Sequence, residues 1–125
     1  NFVSQCLYAG CGVMNYTPTF GWYYNSVNSR APAWSGVPYL YQFLTGNTKA
    51  GPYARELPLK EAQIGDVIQL SFDGNAFGHS VFVIDLDKAD VYVAAHTDDQ
   101  SHRPLRTYSY ATCRLLHIDG AREQA

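Results

Sequence analysis

The chain has 125 residues, which is long enough for one domain with one hydrophobic core and too short for two. Hydrophobic residues make up 46% of it and charged residues 16%, the net charge is −2, and no run of Lys or Arg suggests a nucleic-acid partner. No apolar stretch is long enough to cross a bilayer. We therefore expect one globular domain over residues 1–125, without a nucleic-acid partner or a membrane span.

The chain opens on the apolar pattern of a buried helix. Apolar residues in the segment 2–9 repeat on one face, and Gly10 is placed to end the helix. The pattern is already under way at Asn1, which suggests that residues ahead of Asn1 have been removed. Losing the first turn and cap of a helix costs about 0.5–2 kcal/mol. We therefore expect a weakened domain that can self-associate through this end.

The next segment, residues 11–33, mixes aromatic side chains with turn formers and shows no period. This predicts an ordered surface loop, and loops of this length are usually functional. The whole chain carries ten Tyr, six Phe and two Trp, many of them before residue 55. A surface rich in Tyr is typical of proteins that bind sugars or peptides, but the same side chains can pack a small core with their hydroxyls in solvent. Composition leaves both interpretations open.

A second helix is predicted from residue 35 to residue 46. Ser35 is a suitable N-cap, Pro38 falls in the first turn, and Gly46 and Asn47 stop the helix. Its apolar stripe consists of Val37, Leu40, Tyr41 and Leu44.

From residue 64 onward, short apolar runs alternate with polar turns, which predicts strands. The predicted strands are 67–72, 80–85, 91–95 and 114–118, with an extended stretch at 105–110 and a fraying end at 120–125. Helices followed by an antiparallel sheet make the predicted fold class α+β.

Two histidines lie at matching ends of two predicted strands. His79 opens one apolar run and His96 closes the next. If these strands pair antiparallel through the turn 85–90, the imidazoles come close together. One ring could then accept a proton while the other orients it, as a thiol nucleophile requires. A lone histidine at such a position could equally be half-buried and satisfied by a backbone carbonyl.

A metal site is the rival use of the same two histidines, with Asp98, Asp99 and His102 as further ligands. The segment 96–102 lacks the short fixed spacing of a zinc motif, and such loops are usually solvated. We therefore predict no metal and no cofactor. Another histidine, His117, lies within an apolar run and is predicted to be structural.

The three cysteines, Cys6, Cys11 and Cys113, cannot all pair with one another. The odd count argues against a disulfide framework and leaves a bridge between Cys11 and Cys113 open. Cys6 could be a nucleophile, but its place among apolar helix residues predicts a buried, inert thiol.

Several short motifs occur in a fixed order along nearly the whole chain. They are Asn1-Phe2-Val3 within residues 1–10, then residues 21–24, 30–37 and 65–70, Gly78-His79-Ser80 within 77–80, His96-Thr97 within 94–97, and residues 103–105. In this order they resemble the putative amidase domain family, a bacterial relative of the NlpC/P60 papain-like cysteine hydrolases. The resemblance implies a papain-like α+β fold, with N-terminal helices packed on a small antiparallel sheet.

The resemblance also implies where the nucleophile belongs. The family carries it as the cysteine of an Asp-Cys-x-Asn-Phe-Val motif at the start of the first helix, and Asn-Phe-Val is residues 1–3 here. The family's cysteine therefore falls two residues ahead of Asn1, outside this chain, which we expect to be inactive as it stands. Cys6 matches a position seven residues further on, ~10 Å along the helix, and cannot replace that thiol.

The resemblance assigns His79 as the general base and His96 as the residue that orients it. Asp98 competes with His96 for the orienting role, and we favour His96. The physical logic agrees, since a helix N-terminus and a nearby imidazolium both make a thiol more acidic. The helix amides would stabilise the oxyanion, and His79 would protonate the leaving amine.

Trp34 and Trp22 are the candidates for the wall of a substrate groove, although Trp34 could instead be a core anchor. The implied substrate is a peptide, in particular a bacterial cell-wall peptide, and the implied location is secreted or cell-wall associated. Two alternatives stay open. One is a peptide- or glycan-binding module of the same fold that does not cut, and the other is a metal-dependent hydrolase that uses His79, His96 and Asp98.

Overall fold

The computed structural model describes residues 2–95 and 102–124. Within these ranges the helices are α1 Phe2–Cys11, α2 Pro32–Ser35 and α3 Val37–Gly46. The strands are β1 Tyr24–Ser26, β2 Ser29–Arg30, β3 Gly51–Leu57, β4 Val67–Ser71, β5 His79–Leu86, β6 Val91–Ala94, β7 Arg103–Pro104 and β8 Thr112–Arg122. Short 3-10 helices cover Leu59–Glu61 and Leu105–Thr107. None of the described helices combines the length and the apolar character needed to span a bilayer.

Six strands form one antiparallel sheet in the order β3-β8-β4-β5-β6-β7, and β1 and β2 form a separate hairpin. The strands β5 and β6 are direct neighbours, with Phe82 opposite Ala94 and Val83 opposite Val93. The predicted antiparallel pairing of the two histidine-bearing runs is therefore confirmed. The architecture is α+β, as predicted from the order of the elements.

Side chains of the sheet divide between two hydrophobic clusters, one on each face. In β4, Val67 faces the helices, whereas Ile68 and Leu70 face the other way. In β8, Leu116 and Leu115 divide in the same manner. The helix-side cluster also contains Val3, Leu7, Trp22, Trp34, Leu40, Phe43 and Leu44, and the opposite cluster contains Val81, Val83, Val93, Leu105 and Tyr108. A sheet covered on both faces explains why its central strands read as continuous apolar runs.

The first helix ends later than predicted. It continues through Cys11, and Gly12 takes the left-handed conformation with φ of 68° while its amide donates to the carbonyl of Tyr8 at 2.8 Å. The predicted end at Gly10 is wrong because the glycine that reverses the chain is Gly12.

The predicted surface loop over residues 11–33 contains more structure than expected. Asn15 and Trp22 form an isolated antiparallel bridge, and the β1–β2 hairpin follows it. The turn between Asn15 and Trp22 brings the backbone so close to Gly21 that an added Cβ would lie 2.4 Å from the carbonyl oxygens of Asn15 and Thr17. The segment therefore folds back to bury an aromatic ring, a tertiary effect that local periodicity does not reveal.

The predicted N-cap of the second helix is also wrong. Ser35 is the last residue of α2, and Gly36 caps α3 without a side-chain hydrogen bond. Pro38 does lie in the first turn of α3, and the helix ends at Gly46 and Asn47 as predicted.

The strands β4, β5 and β6 match the predicted ones to within a residue at each end. The edge strand β3 was not predicted, and the stretch predicted as extended begins with a 3-10 turn at Leu105–Thr107. The predicted fraying end is wrong for residues 120–122, which belong to β8, since Gly120 and Ala121 pair with Tyr53 and Pro52. Gly120 suits that place, since an added Cβ would lie 2.8 Å from the Tyr53 hydroxyl.

Candidate functional site

A pocket of about 210 Å³ lies where the first turn of α1, the link between α2 and α3, and the start of β5 meet. Its walls are Phe2, Val3, Ser4, Trp34, Ser35, Gly36, Val37, Leu40, Gly78, His79 and Ser80. Two of the predicted site residues, His79 and Trp34, are therefore brought to one place. None of these lining residues is Asp, Glu, Lys or Arg, so the described wall carries no permanent charge.

His79 lines the pocket as the first residue of β5, and its side chain is on the sheet face of Val81 and the opposite cluster, at the edge of the pocket. Its backbone is opposite Leu70 of β4, and the Gly78 amide donates to the Leu70 carbonyl at 3.1 Å. The half-buried imidazole has aromatic neighbours in Phe72 and Tyr108, with ring centroids 6.3 and 6.1 Å away. The imidazole is thus held on a rigid strand and flanked by rings.

Above Tyr108 lies a cation that sequence reasoning did not connect to the site. The guanidinium carbon of Arg103 is 3.7 Å from the centroid of the Tyr108 ring. Arg103 also donates to the side chain and the carbonyl of Thr107, at 2.8 and 3.1 Å. The ring that flanks His79 is therefore itself in contact with the Arg103 guanidinium.

The first turn of α1 supplies the opposite wall. The first amides of a helix have no acceptors within the helix, and the aligned peptide dipoles make this end positive. The first turn of α1 contains no acidic side chain that would neutralise this end. Ser4, which is 1% exposed, fixes the turn in position. Its hydroxyl donates to the Trp34 carbonyl at 2.8 Å and accepts from the Trp22 indole at 2.9 Å.

The two tryptophans are neighbours, with ring centroids 4.8 Å apart, but their positions differ. Trp34 lines the pocket but is only 4% exposed, and its ring packs in the helix-side cluster next to Tyr8 and Tyr24. Trp22 is 0% exposed and belongs to the helix-side core. The structure therefore does not place Trp22 on a groove wall. It supports Trp34 and Ser4 from behind.

A buried polar network next to the pocket was not predicted. Gln69 of β4 is 0% exposed, and its Nε2 donates to the Val37 carbonyl at 3.0 Å and to the Ser80 hydroxyl at 3.2 Å. Its Oε1 accepts from Nε and Nη2 of Arg114 in β8, at 2.9 and 2.7 Å. The only sequence signal was a Gln inside an otherwise apolar strand, and its partner is 45 residues away in the chain.

Aromatic rings enclose the Arg114 guanidinium. Its central carbon lies 3.6 Å from the Tyr41 ring and 4.0 Å from the Phe77 ring. Burial lowers the pKa of Arg114, while Tyr41 and Glu56 nearby raise it. Arginine stays protonated throughout the accessible pH range, so this cation is a permanent donor to Gln69.

His96, Asp98 and Asp99 lie outside the described residues. The proximity of His96 to His79 therefore stays a prediction, as does the choice between His96 and Asp98. The last described pair before them, Phe82 opposite Ala94, has the antiparallel direction that the prediction requires.

His102 lies beside the end of β5 that is far from His79. Its Nε2 lies 2.9 Å from Oδ2 of Asp85, and its ring stacks on Tyr92 at 4.4 Å. Asp85 is six residues beyond His79, or roughly 20 Å along a strand, so His102 is not a co-ligand with His79. Among the described residues, no group of three His, Cys, Asp or Glu side chains is arranged to hold a metal.

The remaining histidine, His117, has a structural environment. Its Nδ1 lies 3.0 Å from Oδ1 of Asp66, whose side chain is 2% exposed. The same carboxylate accepts the amides of Gln63 and Ile118, at 2.9 and 3.1 Å. These contacts support the predicted structural role for His117.

The three cysteines are free thiols and each is half-buried, so the bridge between Cys11 and Cys113 is not formed. Burial raises the pKa of the Cys6 thiol above its ordinary value. Burial also raises the pKa of Cys113, with a smaller opposing contribution from a hydrogen bond to Tyr110. Cys6 is therefore kept protonated, which is the opposite of what a nucleophile needs.

Comparison with known proteins finds a family model and a curated relative that match this chain. The family model described as putative amidase domain matches residues 1–118. A curated relative, the uncharacterized protein YhbB of Bacillus subtilis (strain 168), is 35% identical over 115 residues, which cover 88% of this chain and 35% of the relative. The chain thus spans about a third of the length of that relative. No solved structure matches the chain significantly. The family match includes the first turn of α1 and the start of β5, so the pocket lies wholly within the matched residues. Because the match covers residues 1–118, the chain belongs to the putative amidase domain family.

Proposed function

We propose that this domain is a cysteine-type amidase or peptidase of the NlpC/P60-like, papain-like superfamily, acting on amide bonds of bacterial cell-wall peptides. The observation that carries the proposal is that the first turn of α1 and His79 at the start of β5 line the same pocket. A thiol just ahead of Asn1 would stand at the positive end of α1, where a thiolate is favoured. Family membership supports amide hydrolysis as the reaction.

In the proposed mechanism, His79 removes the thiol proton and the thiolate attacks the amide carbonyl. The amides of the first turn stabilise the oxyanion, and protonated His79 then gives its proton to the leaving amine. Water hydrolyses the resulting thioester, with His79 acting again as base. His96 orients the His79 ring in this proposal.

The proposal is tested by extending the chain so that a cysteine stands two residues ahead of Asn1. On purified peptidoglycan, the extended chain should release new amino groups, detected by amine labelling and mass spectrometry. The same extension with alanine in place of cysteine, the 125-residue chain, and His79→Ala in the extended chain should all be inactive. Equal activity with alanine in that place would overturn the cysteine mechanism. Sequencing the gene just upstream of Asn1 shows whether the natural protein has this cysteine.

A second candidate is peptide or glycan binding without hydrolysis, favoured by exposed aromatic rings. Tyr16 is 56% exposed and stacks on Tyr23 with centroids 5.7 Å apart, and Phe20 is 68% exposed. Such rings can hold a sugar face or an apolar side chain. An upstream residue other than cysteine, together with peptidoglycan binding by the 125-residue chain, would favour this function over the enzyme.

A secreted or cell-wall location belongs to the same proposal, since the proposed substrate lies outside the cell membrane. Self-association through α1 is a separate proposal. It predicts that the apparent mass of the 125-residue chain in sedimentation rises with concentration, whereas a constant monomer mass would contradict it.

A further inference from the structure

The Ser80 hydroxyl lies on the pocket wall beside the base. Ser80 follows His79 in β5 and lines the same pocket, and successive strand residues point to opposite faces. Phe82, two residues further on, packs against the helix-side cluster. The Ser80 side chain is therefore directed to the helix side of the sheet, where α1 and the link between α2 and α3 form the pocket.

The network behind Ser80 determines which way its proton points. A guanidinium only donates hydrogen bonds, so the two bonds from Arg114 identify the Gln69 atom they reach as the carbonyl oxygen. The Gln69 amide nitrogen is then the atom next to Ser80, at 3.2 Å, and it must donate. The Ser80 oxygen accepts that bond, so its own proton is directed elsewhere.

We infer that Ser80 is a substrate-binding residue whose hydroxyl donates a hydrogen bond to a backbone carbonyl of the bound peptide, with Gln69 and Arg114 acting as positioning residues. Among the described residues, the wall of the pocket contains no permanently charged side chain, which suits a neutral internal peptide group better than a terminal carboxylate. This inference deepens the proposed function and rests on it for the identity of the ligand.

Ser80→Ala removes the donor and little else, because Gln69 keeps its bonds to Val37 and Arg114. A neutral hydrogen bond of this kind corresponds to roughly a 3- to 10-fold change. In the cysteine-extended chain we expect KM for soluble peptidoglycan peptides to rise by about that factor while kcat changes little. Ser80→Thr, which keeps the hydroxyl, should restore KM, and Ser26→Ala on the exposed β1 strand is the matched control.

A binding measurement separates this inference from the proposed function. In the 125-residue chain, which does not need to cut, calorimetric titration with the same peptides should show Ser80→Ala binding about 3- to 10-fold more weakly than the unmodified chain. If Ser80→Ala weakened peptide binding but the extended chain hydrolysed nothing, the proposed enzymatic function would be overturned and the inference about Ser80 would stand. Hydrolysis with an unchanged KM in Ser80→Ala, a fall in kcat alone, or no saturable peptide binding would overturn the inference.

Gln69→Glu tests the positioning step. A carboxylate at this position would still accept from Arg114 but could no longer donate to Ser80 or to the Val37 carbonyl, so the Ser80 proton would turn towards it and away from the pocket. We expect the same rise in KM as for Ser80→Ala, and no further rise when the two substitutions are combined. Circular dichroism and urea unfolding verify that each variant is folded. If the rise in KM of the double variant equalled the product of the two single rises, the positioning role of Gln69 would be overturned.

Discussion

At the scale of single residues, the Ser4 hydroxyl connects α1 to Trp34 of α2 and to Trp22. Ser4 in α1 links the Trp34 carbonyl to the Trp22 indole, and its side chain is almost completely buried. Ser4→Ala would leave a buried indole N–H without a partner, which costs about 1–3 kcal/mol. We expect the free energy of unfolding in urea to fall by that amount.

The control for this prediction is Ser26→Ala, which makes the same chemical change at an exposed strand position. Its effect should stay within about 0.5 kcal/mol. If Ser4→Ala were as mild as Ser26→Ala, the hydrogen bonds of Ser4 would contribute nothing to the fixed position of the first turn.

The cysteines give a residue-scale prediction about reactivity. Because burial raises the pKa of Cys6 and of Cys113, both should react with iodoacetamide several-fold more slowly than N-acetylcysteine at pH 8. A thiol whose folded pKa is raised contributes stability below its unfolded pKa, and that contribution is lost as pH rises through the folded pKa. Stability should therefore decline above about pH 8.5, near the ordinary thiol pKa.

Peptide mapping of the alkylated chain assigns each rate to its cysteine, and unfolding in urea should remove the protection. In the cysteine-extended chain, the added thiol should be alkylated first at pH 7, well before Cys6. Preferential labelling of Cys6 would contradict both its protonated state and its exclusion as the nucleophile.

At the scale of elements, two glycines should respond in opposite ways to the same substitution. Gly21→Ala places a methyl group 2.4 Å from two backbone oxygens, so the turn before the β1–β2 hairpin must move. We expect a loss of about 3 kcal/mol. Gly10→Ala lies in an exposed part of α1 with open space around it, and should stabilise the chain by about 0.5–1 kcal/mol. Thermal unfolding measures both, and equal effects would contradict the described packing at Gly21.

The same elements show what local sequence patterns can and cannot predict. The strands β4, β5 and β6 were predictable because they are apolar runs bounded by turn residues. The bridge between Asn15 and Trp22 was not, because it depends on long-range burial of an aromatic ring. The strand β3 was missed because it lies at the edge of the sheet and contains Pro52 and the charged pair Arg55 and Glu56.

At the scale of the whole molecule, the site was only partly predictable for a topological reason. His79 could be found because it opens a recognisable strand, and Trp34 because it precedes a helix. Gln69 and Arg114 could not be connected from the sequence, because β8 reaches β4 only through the strand order of the sheet. Polar groups that meet across such pairings have no signature in local spacing.

The end of β8 provides a test of the whole sheet. Residues 120–122 pair with β3, and Arg122 donates to the Asn47 carbonyl at 2.9 Å and stacks on Tyr53. Deleting residues 119–125 should lower the free energy of unfolding by about 1–3 kcal/mol, since several hydrogen bonds are lost. Deleting residues 123–125 alone should cost less than about 0.5 kcal/mol. Equal stability of the two truncated chains would support a fraying end instead.

The interior position of β8 also has a consequence for synthesis. When β3 and β4 leave the ribosome, the strand that must lie between them has not yet been made, so β3 has no partner in the sheet and β4 can pair only with β5. Completing the sheet requires pairs between β3 and β8 that are 58 positions apart for Leu57 and Leu115 and 71 for Gly51 and Arg122, which makes folding slow and late. A nascent chain of this protein therefore stays open, with unpaired strand edges that chaperones can bind, until residues 112–122 emerge.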